Sequence, residues 1–379
     1  MTSIAKERFL ALDVFRGMTV CFMIIVNTPG SGATPYSPLL HASWHGFTPT
    51  DLVFPSFLFA VGNAMSFSMQ KFKNLPDSQV LAKIFKRAIL IFLIGYLMYW
   101  FPFFRTNEEG HLALSPISDT RIMGVLQRIA LCYLFASLLI RFFSTRIVII
   151  ISVFLLSLYW ILLLLFGNPV DPLSMTGNAG LYLDKFLFGD SHLYHGEGIA
   201  FDPEGVLSTI PAIVNVIAGY YTGRFIQKKG QGFETIAKLL LVGALFIFMA
   251  LCWHMVFPIN KKLWTSSFVL LTSGLDMIIL PALIYITAIR FPGRYAWTDF
   301  FSVFGKNPLA IYVLSEILVI SFYLIEVDKG VSLYQYINTN FFQVITPGAF
   351  GSLLFAIFFM LACWCVGWFL NKRKIYIRV

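Results

Sequence analysis

Ten runs of mostly apolar residues, each about 20 long, follow one another along this chain. They fall at about 9–27, 48–70, 84–104, 123–141, 147–166, 205–226, 236–257, 263–289, 299–323 and 349–371. A helix of about 20 apolar residues crosses a hydrocarbon core of about 30 Å. Only a helix or a closed barrel satisfies its own backbone there. The runs are twice the length of barrel strands and do not alternate, so a barrel is excluded. Composition agrees: 58% of residues are hydrophobic and 12% charged, and mean hydropathy is +0.76. A soluble domain carries roughly 25% charged residues. The expected architecture is all-α and polytopic, with about ten transmembrane helices in one domain over 1–379. Pro55, Pro211, Pro281 and Asn307-Pro308 interrupt several runs.

Charge orients the helices. Alternate loops carry 19 of the 28 Lys and Arg residues, from Lys6 and Arg8 to Arg378. The opposite loops, at about 28–47, 105–122, 167–204, 258–262 and 324–348, carry six: Arg105, Arg121, Lys185, Lys261, Lys262 and Lys329. Arg16, Arg128 and Lys306 lie within spans. The positive-inside rule then puts both termini in the cytoplasm. Acidic residues gather on the outer side, chiefly from Glu108 to Asp119 and from Asp171 to Glu204. The net charge of +9 reflects membrane topology rather than nucleic-acid binding. The first span resembles a signal peptide in position. Asp13 and Arg16 interrupt it and no A-x-A-like site follows, so it is expected to be retained. Cys21, Cys132, Cys252, Cys363 and Cys365 all fall in apolar runs and read as small core residues.

Ionisable residues inside spans point to function or to internal pairing. Asp13 and Arg16 share a helix face at i, i+3 and can neutralise each other. Asp51 and Arg128 lie at similar depth, which allows a buried pair. Asp276 and Glu316 sit deeper and have no partner visible in the sequence. The densest polar cluster is the first outer loop, with Asn27, His41, Trp44, His45 and Asp51. A histidine there can act as base or nucleophile, and Asn27 can donate to an oxyanion. The alternative is an interfacial polar belt. His41 and His45 at i, i+4 would suit a metal, but Gly46 and Pro49 oppose a continuous helix, so none is expected. Asp202 and Glu204 precede the sixth span and suit either an amine or the helix N-terminus. Lys261 and Lys262 break the charge rule. On the other face Arg87, Lys372, Arg373 and Lys374 suit either phosphates or anionic lipid.

Several segments together resemble the catalytic membrane domain of heparan-α-glucosaminide N-acetyltransferase. They are Leu12-Asp13-Val14-Phe15-Arg16-Gly17, Val26-Asn27, His41-Ala42-Ser43-Trp44, Asp51-Leu52-Val53-Phe54-Pro55 and Gly124-Val125-Leu126-Gln127-Arg128. Asp202-Pro203-Glu204-Gly205 and Asn260-Lys261-Lys262-Leu263-Trp264 complete the set. They occur in the family's order from about residue 8 to the C-terminus. The resemblance implies a bacterial, inner-membrane relative without the lumenal domain that precedes the membrane region of the lysosomal enzyme. It implies acetyl transfer from cytoplasmic acetyl-CoA to a glucosamine-type amine on the periplasmic face, and a homodimer.

The family's essential histidine matches His41 and its active-site asparagine matches Asn27. The sequence leaves open whether His41 carries the acetyl group or only takes the amine proton. Asp51, Arg128, Asp13 and Arg16 are expected to support the site. Asp202, Glu204 and Trp44 are expected to hold the acceptor, and Arg87 with Lys372, Arg373 and Lys374 the CoA phosphates. A solute permease with Asp276 and Glu316 as coupling sites is the competing reading, and O-acetylation of an envelope glycan a minor one.

Overall fold

The computed structural model describes residues 9–106 and 111–377. Lys6, Arg8, Glu108 and Arg378, which entered the charge argument, lie outside the described residues. The fold is a helical assembly: α1 (Leu10–Asn27), α2 (Val53–Lys71), α3 (Asp77–Trp100), α4 (Val125–Phe142), α5 (Thr145–Phe166), α6 (Ala179–Phe188) and α7 (Thr209–Lys229) come first. Then follow α8 (Phe233–His254), α9 (Ser266–Ile284), α10 (Ala296–Lys306), α11 (Pro308–Leu324), the short α12 (Leu333–Ile337) and α13 (Gln343–Ile345), and α14 (Ala349–Lys372). Two small hairpins decorate the connections: β1 (Phe104–Thr106) with β2 (Leu112–Leu114), and β3 (Glu326–Asp328) with β4 (Val331–Ser332).

Among the described residues seven helices are long and apolar enough to cross a membrane, or eight if α10 and α11 form one broken span. The protein is therefore a multi-pass membrane protein. Helices α3 and α7 have 24 and 21 residues, long enough to cross. They carry more polar residues, including Lys83, Lys86 and Arg87 in α3, and fall outside that set. The ninth expected span is bent by 79° where Asn307 ends α10 and Pro308 opens α11. Proline has no N–H to offer the preceding turn, so the helix restarts there. The bend is tied to the C-terminal tail: Asn307 donates to the Ile375 carbonyl at 3.0 Å and accepts from Ile377 N–H at 2.9 Å.

Glycines let three helix pairs meet backbone to backbone. A methyl group on Gly17 of α1 would overlap the Phe301 carbonyl of α10, and one on Gly305 the Asp13 carbonyl. Gly62 and Gly219 serve α2 and α7 in the same way, and Gly243 faces Gly274 between α8 and α9. Small residues at such crossings favour helix association in a bilayer, where apolar burial between helices is not a driving force. Helices α7 and α9 are enclosed on nearly all sides. Helices α5 and α8 expose Ile150, Phe154, Leu165, Leu241 and Phe248, as expected of lipid-facing surface. Cys21, Cys132 and Cys363 are buried as expected, whereas Cys252 and Cys365 are exposed.

Candidate functional site

The site begins with a turn. Pro49–Leu52 forms one 3₁₀ turn that leads into α2, and Thr48 and Asp51 close a capping box around its start. Asp51 Oδ2 accepts from Thr48 N–H at 2.9 Å and from Ala42 N–H at 3.2 Å. The Thr48 hydroxyl lies 3.1 Å from the same oxygen and 2.7 Å from the Leu40 carbonyl. Asp51 Oδ1 lies 2.6 Å from His41 Nδ1. The Asp51 side chain is fully buried while His41 is 40% exposed. A carboxylate at Nδ1 fixes the proton there and leaves the Nε2 lone pair facing out. The imidazole thus has one nitrogen anchored and one available.

The Asp51–Arg128 pair that the sequence allowed is therefore not formed. Arg128, fully buried, donates to the Gly205 carbonyl at 3.0 Å and to the Ser208 hydroxyl, and lies 4.9 Å over the Trp264 ring. It holds the entry to α7, not the histidine. The nine residues between His41 and Asp51 turn back through Gly46 and supply the carboxylate's partner locally. Asp13 and Arg16 do pair on α1.

Asp202 and Glu204 are both buried and both engaged by Arg121. The guanidinium binds Asp202 in two places, Nε to Oδ2 at 2.9 Å and Nη2 to Oδ1 at 2.6 Å, and reaches Glu204 Oε2 at 2.7 Å. It also lies between the rings of Tyr99 and Tyr194, 4.9 and 4.7 Å from their centres. Burial opposes its charge, but Tyr99, Asp202 and Glu204 hold it more firmly protonated than an ordinary arginine. Burial likewise opposes the Glu204 charge, yet Lys261, Arg121 and Arg128 keep its carboxyl below the usual range. The two carboxylates expected to meet an amine are thus neutralised within the protein. Sequence reasoning missed Arg121. Its one signal was an arginine on the face that should lack cations.

The remaining loops are stitched around His41. Trp44 donates to the Leu173 carbonyl at 2.9 Å and meets Phe201 edge-on at 5.8 Å. Gly46 N–H donates to Ile259 at 2.8 Å, and its φ of +121° is one that glycine adopts freely. Lys262 joins the Ser43 carbonyl at 3.1 Å to Glu197 at 2.5 Å. His45 lies 3.3 Å from the Asn260 amide, and burial lowers its proton affinity. Asn27 ends α1, which contacts the turn carrying Asp51. Helix α1 also packs against α11, which carries Glu316. Asp276 is deep in the helices, where Ser56 donates to it.

Of the cations expected at the CoA phosphates, three rest on aromatic rings. Arg87 lies 4.7 Å over the Tyr133 ring. Lys372 and Arg373 lie 5.0 and 5.6 Å over Trp368 and Phe369 of their own helix. Lys374 follows at the end of the helix with φ of +57°. Among the described residues no group of three or more His, Cys, Asp or Glu side chains converges as metal ligands do.

The family model for heparan-alpha-glucosaminide N-acetyltransferase, catalytic, matches residues 8–250. The heparan-alpha-glucosaminide N-acetyltransferase of Mus musculus is 30% identical over 370 residues, and that of Homo sapiens 28% over 371. Each alignment covers 83% of this chain and 54% of the relative, so the chain spans about half the length of the curated relatives it matches. A match over this much of a multi-pass helical chain, including the segments that carry Asn27, His41, Asp51 and Arg121, shows that the chain belongs to the heparan-alpha-glucosaminide N-acetyltransferase catalytic family.

Proposed function

We propose that this protein is a transmembrane N-acetyltransferase that moves acetyl from cytoplasmic acetyl-CoA to the amine of a glucosamine-type sugar. The sugar is on the periplasmic face of a bacterial inner membrane. The helices make ten crossings with both termini in the cytoplasm, and the protein works as a homodimer. The observation that carries this reading is the His41–Asp51 pair, a histidine with one nitrogen anchored on a buried carboxylate and the other exposed.

The chemistry follows from that pair. The thioester is already activated, so the acceptor must present a neutral nitrogen. His41 Nε2 accepts a proton from the amine as the nitrogen attacks the carbonyl carbon. Asp51 stabilises the imidazolium that forms. Asn27 donates to the oxygen as it gains charge. The C–S bond then breaks, and the leaving sulfur takes the proton from His41. The same Nε2 can instead receive the acetyl group first. Arg128 and Arg121 hold the loop from Asp202 to Ser208 in place. Trp44 ties the histidine loop to the loop that contacts the acceptor. The CoA phosphates lie near Arg87 and the Lys372–Lys374 cations, and the pantetheine arm runs between helices.

The test uses purified protein in detergent, radiolabelled acetyl-CoA and a panel of amino sugars, with wild type beside His41→Ala. Labelled sugar from wild type and none from the variant is the expected result. Label on wild-type protein without acceptor, absent from His41→Ala, would assign the acetyl-histidine route. No transfer to any amine, with no CoA binding, would end the reading.

A further inference from the structure

Helix α6 lies in the connection between α5 and α7, and its two sides differ. Ala179, Leu181 and Asp184 are buried. Asp184 accepts from Val206 N–H at 2.9 Å, which fastens the helix to the loop that Arg121 and Arg128 hold. Tyr182, Phe186 and Leu187 are exposed, Phe186 at 85%. An apolar patch left open in this way marks an interaction surface. An amphipathic helix at a membrane surface lies in the interfacial layer with its apolar side toward the hydrocarbon.

An apolar groove of about 360 Å³ runs between α6 and the end of α5. Leu162 and Phe166 come from α5, Tyr182, Leu183 and Phe186 from α6, and Leu207 from the loop before α7. No lining side chain is charged. Leu164 and Leu165 of α5 are exposed, so the groove is continuous with lipid-facing surface. It is also joined to the histidine loop. Leu173 packs against the cluster that holds Leu163, Ala179 and Leu207, the last two being groove residues. Leu173 packs as well against the cluster that holds Phe201, Leu263 and Trp44. Its carbonyl accepts from Trp44, which lies in the same loop as His41. A bilayer lipid needs only exposed apolar surface. This groove is built on the loops that surround His41, so a chain lying in it has its head beside the site.

We propose that the groove between α5 and α6 holds the hydrocarbon tail of the acceptor. The acceptor is then an amphiphile, a glucosamine-type amine carried on an alkyl or acyl chain in the outer leaflet. This inference rests on the transferase reading above and narrows its substrate class.

The experiment uses the full chain in phosphatidylcholine nanodiscs with radiolabelled acetyl-CoA. The acceptors are methyl, hexyl and octyl glucosaminides with a free amine. Each buried methylene contributes about fourfold. With about two or three of them in the groove, kcat/KM should rise about 10- to 100-fold from methyl to octyl, through KM. Leu183→Trp fills the groove and Phe186→Ser removes one of its walls. Both variants should keep the wild-type rate on methyl glucosaminide within about twofold and lose at least about fivefold of the octyl advantage. Partitioning of the longer acceptor into the bilayer raises all three proteins alike and cancels. An octyl glucosaminide with a diazirine at its tail end should label peptides of α5 or α6 in wild type, and label them less in Leu183→Trp. If Leu183→Trp is not recovered, Phe186→Ser gives the same comparison at an exposed position. The same chain-length dependence in all three proteins, or none in wild type, would overturn the inference while leaving the transferase reading intact. Absence of transfer by wild type to every acceptor would overturn both.

Discussion

Two regions of the molecule carry charge in opposite ways. Around His41, charges are matched across loops: Asp51 with His41, Arg121 with Asp202 and Glu204, Lys262 with Glu197. These contacts, with that of Lys262 to the Ser43 carbonyl, join segments up to 219 residues apart and bind the loops into one cap. At the end of α14 and the start of α8, Lys372 and Arg373 rest on rings close by in sequence, and Lys238 pairs with Glu234 one turn away. Desolvating a charge costs several kcal/mol unless its partner and geometry are good. A fold therefore places charges in buried networks where something must be held still. Solvated cations near helix ends serve topology and loose contact with anions.

The sharpest way to break this comparison is at Asp51. Asp51→Asn keeps the shape of the turn but no longer holds the proton on His41 Nδ1. Acetyl transfer should fall by about 10²- to 10⁴-fold with little change in KM. A rate near wild type would mean that the buried carboxylate does not arm the histidine. Next comes Arg121. Arg121→Leu strands two buried carboxylates and should destabilise the protein by about 3–5 kcal/mol, seen as a clear fall in Tm in detergent. Adding Asp202→Asn and Glu204→Gln should restore much of it. A Tm unmoved by the single change would show that Arg121 does not hold the cap.

The exposed cations at the end of α14 should respond weakly. Lys372→Ala with Arg373→Ala is expected to raise KM for acetyl-CoA by less than about fivefold, on the order of one exposed charge contact per residue, with kcat retained. Abolished transfer would erase the distinction between the two regions. The smallest effect concerns Asp184 on α6, whose carboxyl accepts from Val206 N–H at 2.9 Å. Burial pushes its pKa up to about 7, from 3.8. The folded state holds this proton more tightly than the unfolded chain, so folding stability falls as pH rises from about 4 to about 7. Asp184→Asn keeps the acceptor and cannot ionise. Tm measured from pH 5 to pH 8 should decline less for the variant than for wild type. Parallel curves would refute the assignment.

Much of the helical frame was legible because apolar runs of membrane length have few other solutions. The polar residues of the first outer loop were legible too, since Asn27, His41 and Asp51 stand out in an apolar chain. Their partners were not. Asp51 and Arg128 matched in depth, yet depth does not reveal that a turn through Gly46 brings His41 back onto Asp51. Arg121 and Asp202 are 81 residues apart and meet only through tertiary packing. Helix α6 lay hidden in a connection whose Gly and Asp residues read as loop. The Asn307-Pro308 break was visible, but its angle depends on how the tail grips Asn307.

Asp51 does two jobs with one carboxylate: it closes the turn that begins α2 and it anchors His41. During synthesis the loop carrying the histidine emerges before the helix that carries its partner. Until α2 is seated, the imidazole has no fixed proton and no counter-charge. Seating of the second helix and anchoring of the histidine are thus a single event.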